Sequence, residues 1–189
     1  MWHFVIASGP SLARADCDAI RGIGPAIAVN NAAVFAPWAD IHYAADSPWW
    51  STYGPKFQWY KGKRLSMGYS GNGVQRWRPS GWARTGGNGG HHMVQYWAEH
   101  GAKRIGLLGF DHSLTGGRTH FFGDHPHNEK VRLGNAQNWR HWLKAMNETA
   151  KDLRRMNIDV VNLSRETALT CFRRMTVEDF VAQYAQRID

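Results

Sequence analysis

The stretch "HFFGDHPHN", residues 120–128, sets three histidines and an aspartate beside bulky aromatics. Imidazole titrates near neutrality and is the usual general base, and a neighbouring carboxylate fixes its tautomer. His125, His120 and Asp124 are therefore the candidate catalytic group. The same side chains with His127 are also metal-ligand types, but their spacing matches no standard zinc pattern. A structural or solvated loop is the third reading. No GxSxG elbow follows a strand, which disfavours a Ser-His-Asp hydrolase.

Two glycine turns suit anion binding. In "ASGPSL" a short apolar run stops at Ser8, Gly9, Pro10 and Ser11. Gly9 permits close backbone approach, Pro10 presets the turn, and Ser11 stands where a helix N-cap is expected. The free amides of that helix then suit a phosphate, although a plain capped turn explains the same residues. In "RTGGNGGHH", Gly87, Asn88 and Gly89 open a second helix and form either an anion-binding nest or a mobile linker. Asp46 and Asp111 close two apolar runs, where a carboxylate binds ribose hydroxyls, holds a metal or caps a loop. Arg84 and Arg118 are candidate phosphate partners by position alone.

The elements that must position these groups follow from hydrophobic periodicity. Val5–Ala7, Ala26–Val29, Ile41–Ala45 and "RIGLLGFD" read as strands, with a weaker one at 65–69 and a last one in "DVVNLS". Helices are predicted over 12–20, 91–100, 135–156 and 177–186, while 38–59 and 77–82 read as irregular. Alternating strands and helices predict a single α/β domain over 1–189: a Rossmann-like α/β/α sandwich with a mostly parallel sheet. Ligands of such sheets bind beyond the carboxyl ends of the strands, where the candidate residues all fall. The long stretch 114–134 is expected to be functional.

The chain of 189 residues is 43% hydrophobic and 20% charged, as a globular domain should be. No apolar run approaches membrane-spanning length, and the start lacks a secretory signal pattern; a soluble, intracellular and cytoplasmic protein is predicted. Cys17 and Cys171 are expected as free thiols. A net charge of +8 favours anionic partners, so a nucleotide, an anionic glycan or nucleic acid all remain open. The ten tryptophans are expected mainly to fill the core, with stacking on a sugar or base as the alternative.

The order of "ASGPSL", "AVNNA", "ADSPWW", a glycine turn before "HGAKRIGLLGFD", then "HFFGDHP" and "VVNLSRETAL" resembles the bacterial sialyltransferases that modify lipooligosaccharide. It equally resembles a related group of 6-hydroxymethylpterin diphosphokinase-like and flagellin-glycosylation proteins. The similarity runs as short motifs from about residue 3 to 172. It implies that Ser8, Gly9, Pro10, Ser11 and Asn30 or Asn31 bind the CMP part of a donor. It also implies that Gly87, Asn88 and Gly89 line the donor site and that His125 is the base. The tyrosines that hold the leaving phosphate in those enzymes have no clear equivalents here.

The first reading is thus a nucleotide-dependent, glycosyltransferase-like transferase that needs no metal cofactor. The alternative is diphosphate transfer from ATP, with Mg2+ held by Asp46 and Asp111. A non-catalytic nucleotide or nucleic-acid binding protein, and a scaffold that has lost its donor site, are the readings from other classes.

Overall fold

The computed structural model describes residues 1–81, 83–84, 87–123 and 136–184. Asp124, His125 and His127 lie outside the described residues, as does most of the loop expected to be functional. Eight strands, all pairing in parallel, form one sheet. In chain order they are β1 (His3–Ile6), β2 (Ala26–Val29), β3 (Ile41–Tyr43), β4 (Lys63–Ser66), β5 (Val74–Arg76), β6 (Arg104–Leu108), β7 (Asp159–Asn162) and β8 (Arg173–Arg174). The spatial order is β5-β4-β3-β2-β1-β6-β7-β8.

The side-chain period of two decides the layers. Phe4 and Ile6 face one side, where α1 (Arg14–Ala19), α2 (Ser47–Tyr53) and α5 (Val177–Tyr184) pack with Trp2, Cys17, Trp50 and Phe180. Val5 faces the other, against α3 (Gly89–Glu99) and α4 (Ala136–Arg155), with Met93, Val94, Met146 and Leu153. Central strands buried on both faces read as unbroken apolar runs, which is why AIAV and RIGLL were legible. The protein is a Rossmann-like α/β/α sandwich.

Four elements depart from the sequence expectation. The segment 38–59 contains α2, which has Pro48 in its first turn and no side-chain cap. Burial of Trp49, Trp50 and Tyr53 stabilises it where local propensity does not. Strands β5 and β8 expose all but Val74, so neither carries an apolar signal. Helix α1 starts at Arg14 rather than beside Ser11, and its N-cap position is Ala13. Both cysteines are free, and burial pushes their thiols up, to about 12 for Cys17 and about 11 for Cys171. Among the described residues no helix is long and apolar enough to cross a membrane.

The chain runs outward from β1 to β5, then returns through α3 to place β6 on the other side of β1. Helix α1 leaves β1 over one face, and α3 enters β6 from the other. The connections therefore diverge between the tips of β1 and β6, and a crevice opens there.

Candidate functional site

A cleft of about 580 Å³ occupies this switch point. Its floor is the junction of the β1 and β6 tips. The Gly9 amide donates to the Gly109 carbonyl at 2.9 Å, and the Ser11 amide donates to Asp111 Oδ2 at 2.7 Å. A Cβ on Gly9 would overlap both the Asp111 carboxylate and the Gly109 carbonyl, so the approach of the two tips requires glycine. Asp111 is 1% exposed, and its Oδ1 has no hydrogen-bond partner among the described residues. Burial pushes its carboxyl up to about 6, against the opposing hydrogen bonds from Ser11. The segment after β7 braces the β6 tip from behind: the Phe110 amide donates to Ser164 Oγ at 2.8 Å, and Thr167 Oγ1 donates to the Phe110 carbonyl at 2.7 Å.

The β2 and β3 tips form one wall. Asn30 holds a left-handed backbone, φ 52°, and its carbonyl accepts a 2.9 Å hydrogen bond from His42 Nε2. His42 is fully buried among Trp49, Trp50, Phe57 and Tyr60, and burial lowers its pKa to about 4. Asp46 stands at the rim with its side chain unused as a cap of α2.

Opposite lies the N-terminus of α3. Asn88 Oδ1 accepts from the His91 amide at 3.0 Å and caps the helix. The amides of Gly89 and Gly90 precede the first intrahelical bond and have no partner among the described residues. A Cβ on Gly89 would press on Val29 and one on Gly90 on Phe110, so these glycines let the helix end seat between the β2 and β6 tips.

Among the described residues three imidazoles line the cleft: His92, His112 and His120. His112 sits at φ 51°, in the left-handed region that few non-glycine residues adopt and that concentrates at functional sites. Its Nδ1–H donates to the Phe110 carbonyl at 3.3 Å, leaving Nε2 to accept from Asn88 Nδ2 at 3.5 Å. His120 Nδ1 bonds Thr119 Oγ1 at 2.9 Å, and its ring stacks on Phe122. Trp49, and Trp139 and Trp142 from the first turns of α4, supply aromatic walls. No Lys or Arg lines the cleft among the described residues. It therefore carries carboxylates, imidazoles, amides and indoles, a set that hydrogen-bonds hydroxylated rings and offers N–H groups to an anion.

The residues singled out in the sequence converge here in large part. Ser8, Gly9 and Pro10 of the first turn, Asn30, Asp46 and Asp111 of three further strand tips, Gly87, Asn88 and Gly89 of the second turn, and His120 all line the one cleft. Two do not. Ser11 is absent from the lining, its Oγ accepting from the Glu166 amide at 3.1 Å, and Asn31 Oδ1 accepts from Trp49 Nε1 at 3.1 Å. The expected phosphate cradle on the first turn is also corrected. The amides of Gly9, Ser11 and Leu12 are all consumed within the protein, and α1, six residues long, begins beyond them. Amides with no partner among the described residues belong instead to Gly89 and Gly90 at the start of α3, which line the cleft. His92, His112, Trp139 and Trp142 were missed as site residues. Only His112, directly after Asp111, lay at a recognisable strand tip.

Arg84 lies outside the cleft, paired with Asp152 of α4 at 2.5 and 3.1 Å on a separate depression of about 790 Å³. Arg118 is exposed and also absent from the lining. Arg84→Ala is accordingly expected to leave the affinity of any ligand held in the cleft within about twofold of wild type by calorimetry. A tenfold loss would return Arg84 to the site.

Compared with protein-family models, curated proteins and solved structures, the chain matches none.

Proposed function

We propose that the protein is a nucleotide-dependent transferase of glycosyltransferase type, using a CMP-sugar or another nucleotide-activated donor. One observation carries the reading: turns far apart in the chain meet at the switch-point cleft, where the free amides of α3 face a floor and walls able to bind hydroxyls. The donor's ribose and base rest between the β1, β2 and β3 tips, and its phosphate lies at Gly89 and Gly90. An imidazole takes the proton of an acceptor hydroxyl. The new bond joins that oxygen to the anomeric carbon as the bond to the phosphate oxygen breaks, and the departing phosphate keeps the electron pair. His125, the base implied by the resemblance, is outside the described residues; His120, the histidine of that stretch among the described residues, reaches the cleft.

Diphosphate transfer from ATP is the second reading. It is favoured by the presence of Asp46 and Asp111 on one cleft without a lining Lys or Arg among the described residues. Magnesium takes one or two carboxylates together with substrate phosphates and retained waters, and Asp46 and Asp111 are the carboxylates that line the cleft among the described residues. No group of three or more ligand side chains is assembled among the described residues. A bound magnesium would neutralise charge on the transferred group.

A thermal-shift panel of CMP, CDP, UDP, GDP and ATP, each with and without magnesium, tests both. Stabilisation by a cytidine or other sugar-carrier nucleotide without metal is the expected result. A response only to ATP with magnesium replaces the first reading by the second, and no response to any nucleotide rejects both.

A further inference from the structure

Tyr43 is fully buried, and its hydroxyl meets His92 Nδ1 at 3.0 Å. A buried phenol must find an acceptor, and burial raises its pKa so that it keeps its proton. Nδ1 is the acceptor within reach. In a neutral ring the proton then resides on Nε2. His92 lines the cleft from the first turn of α3, is 9% exposed, and has no hydrogen-bond partner for Nε2 among the described residues. Its neighbour His112 has both ring nitrogens engaged, and His91 Nε2 is tied to Thr149 Oγ1 at 2.7 Å. His91 Nδ1 is also unpartnered among the described residues, but it is buried and His91 is absent from the lining; His92 is thus the imidazole of this trio that presents a spare N–H to the cleft, beside the Gly89 and Gly90 amides, which have no partner among the described residues.

We propose that His92 binds the phosphate of the nucleotide as a neutral N–H donor, held in its Nε2–H tautomer by Tyr43 and acting together with the Gly89 and Gly90 amides. The inference rests on the nucleotide reading above and assigns it a phosphate subsite. With no lining Lys or Arg among the described residues, charge gathering on a departing phosphate falls to such donors. Burial lowers the pKa of His92 to about 4, so the ring keeps this role across the neutral range.

The test compares AMP, CMP, GMP and UMP with their four nucleosides by calorimetry on the full chain. Wild type is expected to bind at least one nucleotide about 10- to 100-fold more tightly than its nucleoside. In His92→Phe that ratio falls by about tenfold or more while nucleoside affinity holds. His92→Gln, which replaces the N–H, restores most of the ratio, and Tyr43→Phe, which frees the tautomer, lowers it to an intermediate value. A ratio unchanged in His92→Phe overturns the role of His92. Equal losses in the Phe and Gln variants also overturn it, since they indicate ring packing. If His92→Phe loses the nucleoside as well, the Gln and Tyr43→Phe comparisons decide. Binding of nucleotide and nucleoside with equal affinity by wild type rejects the phosphate subsite but keeps the nucleotide reading; binding of neither rejects both.

Discussion

Acidification from pH 7 to pH 5 is expected to remove about 4–5 kcal/mol of folding stability, a large part of the 5–15 kcal/mol typical of a domain. His42, His91 and His92 are 0, 1 and 9% exposed, and burial lowers their pKa values to about 4, 3 and 4. The repulsion of His92 and His112 adds to the shift of His91. Unfolded, each titrates near its ordinary 6.5, so the unfolded chain takes up protons first. Their contribution is complete above pH 6.5 and is lost as pH falls toward 4, about 2 kcal/mol each by pH 5. Asp111 acts in the opposite sense. Its folded value of about 6 exceeds the ordinary 3.8, so the folded chain binds that proton first and regains about 1 kcal/mol over the same interval. The net slope is therefore downward on acidification. Urea midpoints at pH 5, 6, 7 and 8 measure it, and a flat profile would mean that these imidazoles ionise in place and are not enclosed as described.

Gly9→Ala is expected to be the most damaging small substitution at the cleft. The added methyl meets a backbone carbonyl and a carboxylate held by a hydrogen bond, neither of which is the free end of a flexible side chain. The β1 and β6 tips must separate, and the Gly9–Gly109 and Ser11–Asp111 hydrogen bonds weaken with them. A loss of about 3 kcal/mol follows. For a chain of this size that lowers Tm by about 6–12 °C. Gly101→Ala is the control, because Gly101 has φ +84° with nothing within 4 Å of an added Cβ. It meets only backbone strain of about 1 kcal/mol. Melting curves that place Gly9→Ala within 2 °C of Gly101→Ala would show that the tips are not in contact.

The legibility of the site followed from residue type. Gly9, Asn88, Asp46 and Asp111 punctuate strong hydrophobic runs, and a parallel sheet places the ends of such runs together. Ser11 and Asn31 look identical in the sequence to residues that face a ligand, yet each is satisfied by a partner within the protein: Glu166 for the first, Trp49 for the second. Trp139 and Trp142 read as the apolar face of a helix, which is true of Met146 and Leu153 further along α4; the first turns of the same helix line the cleft instead.

Hydrophobic period alone determined the alternation of buried strands and helices, because strands enclosed on both faces must be apolar throughout. Composition likewise determined that the chain has core enough for one sheet. Only tertiary structure decided which glycine turn keeps free amides. The β1 turn spends its own on Gly109 and Asp111, partners about a hundred residues away that become neighbours when β6 pairs with β1. The tautomer of His92 was decided in the same way by Tyr43, on a strand 49 positions earlier. Hydrogen-bond supply is a property of which groups meet, and adjacency in a sheet, unlike hydrophobic period, is not written in any local stretch of sequence.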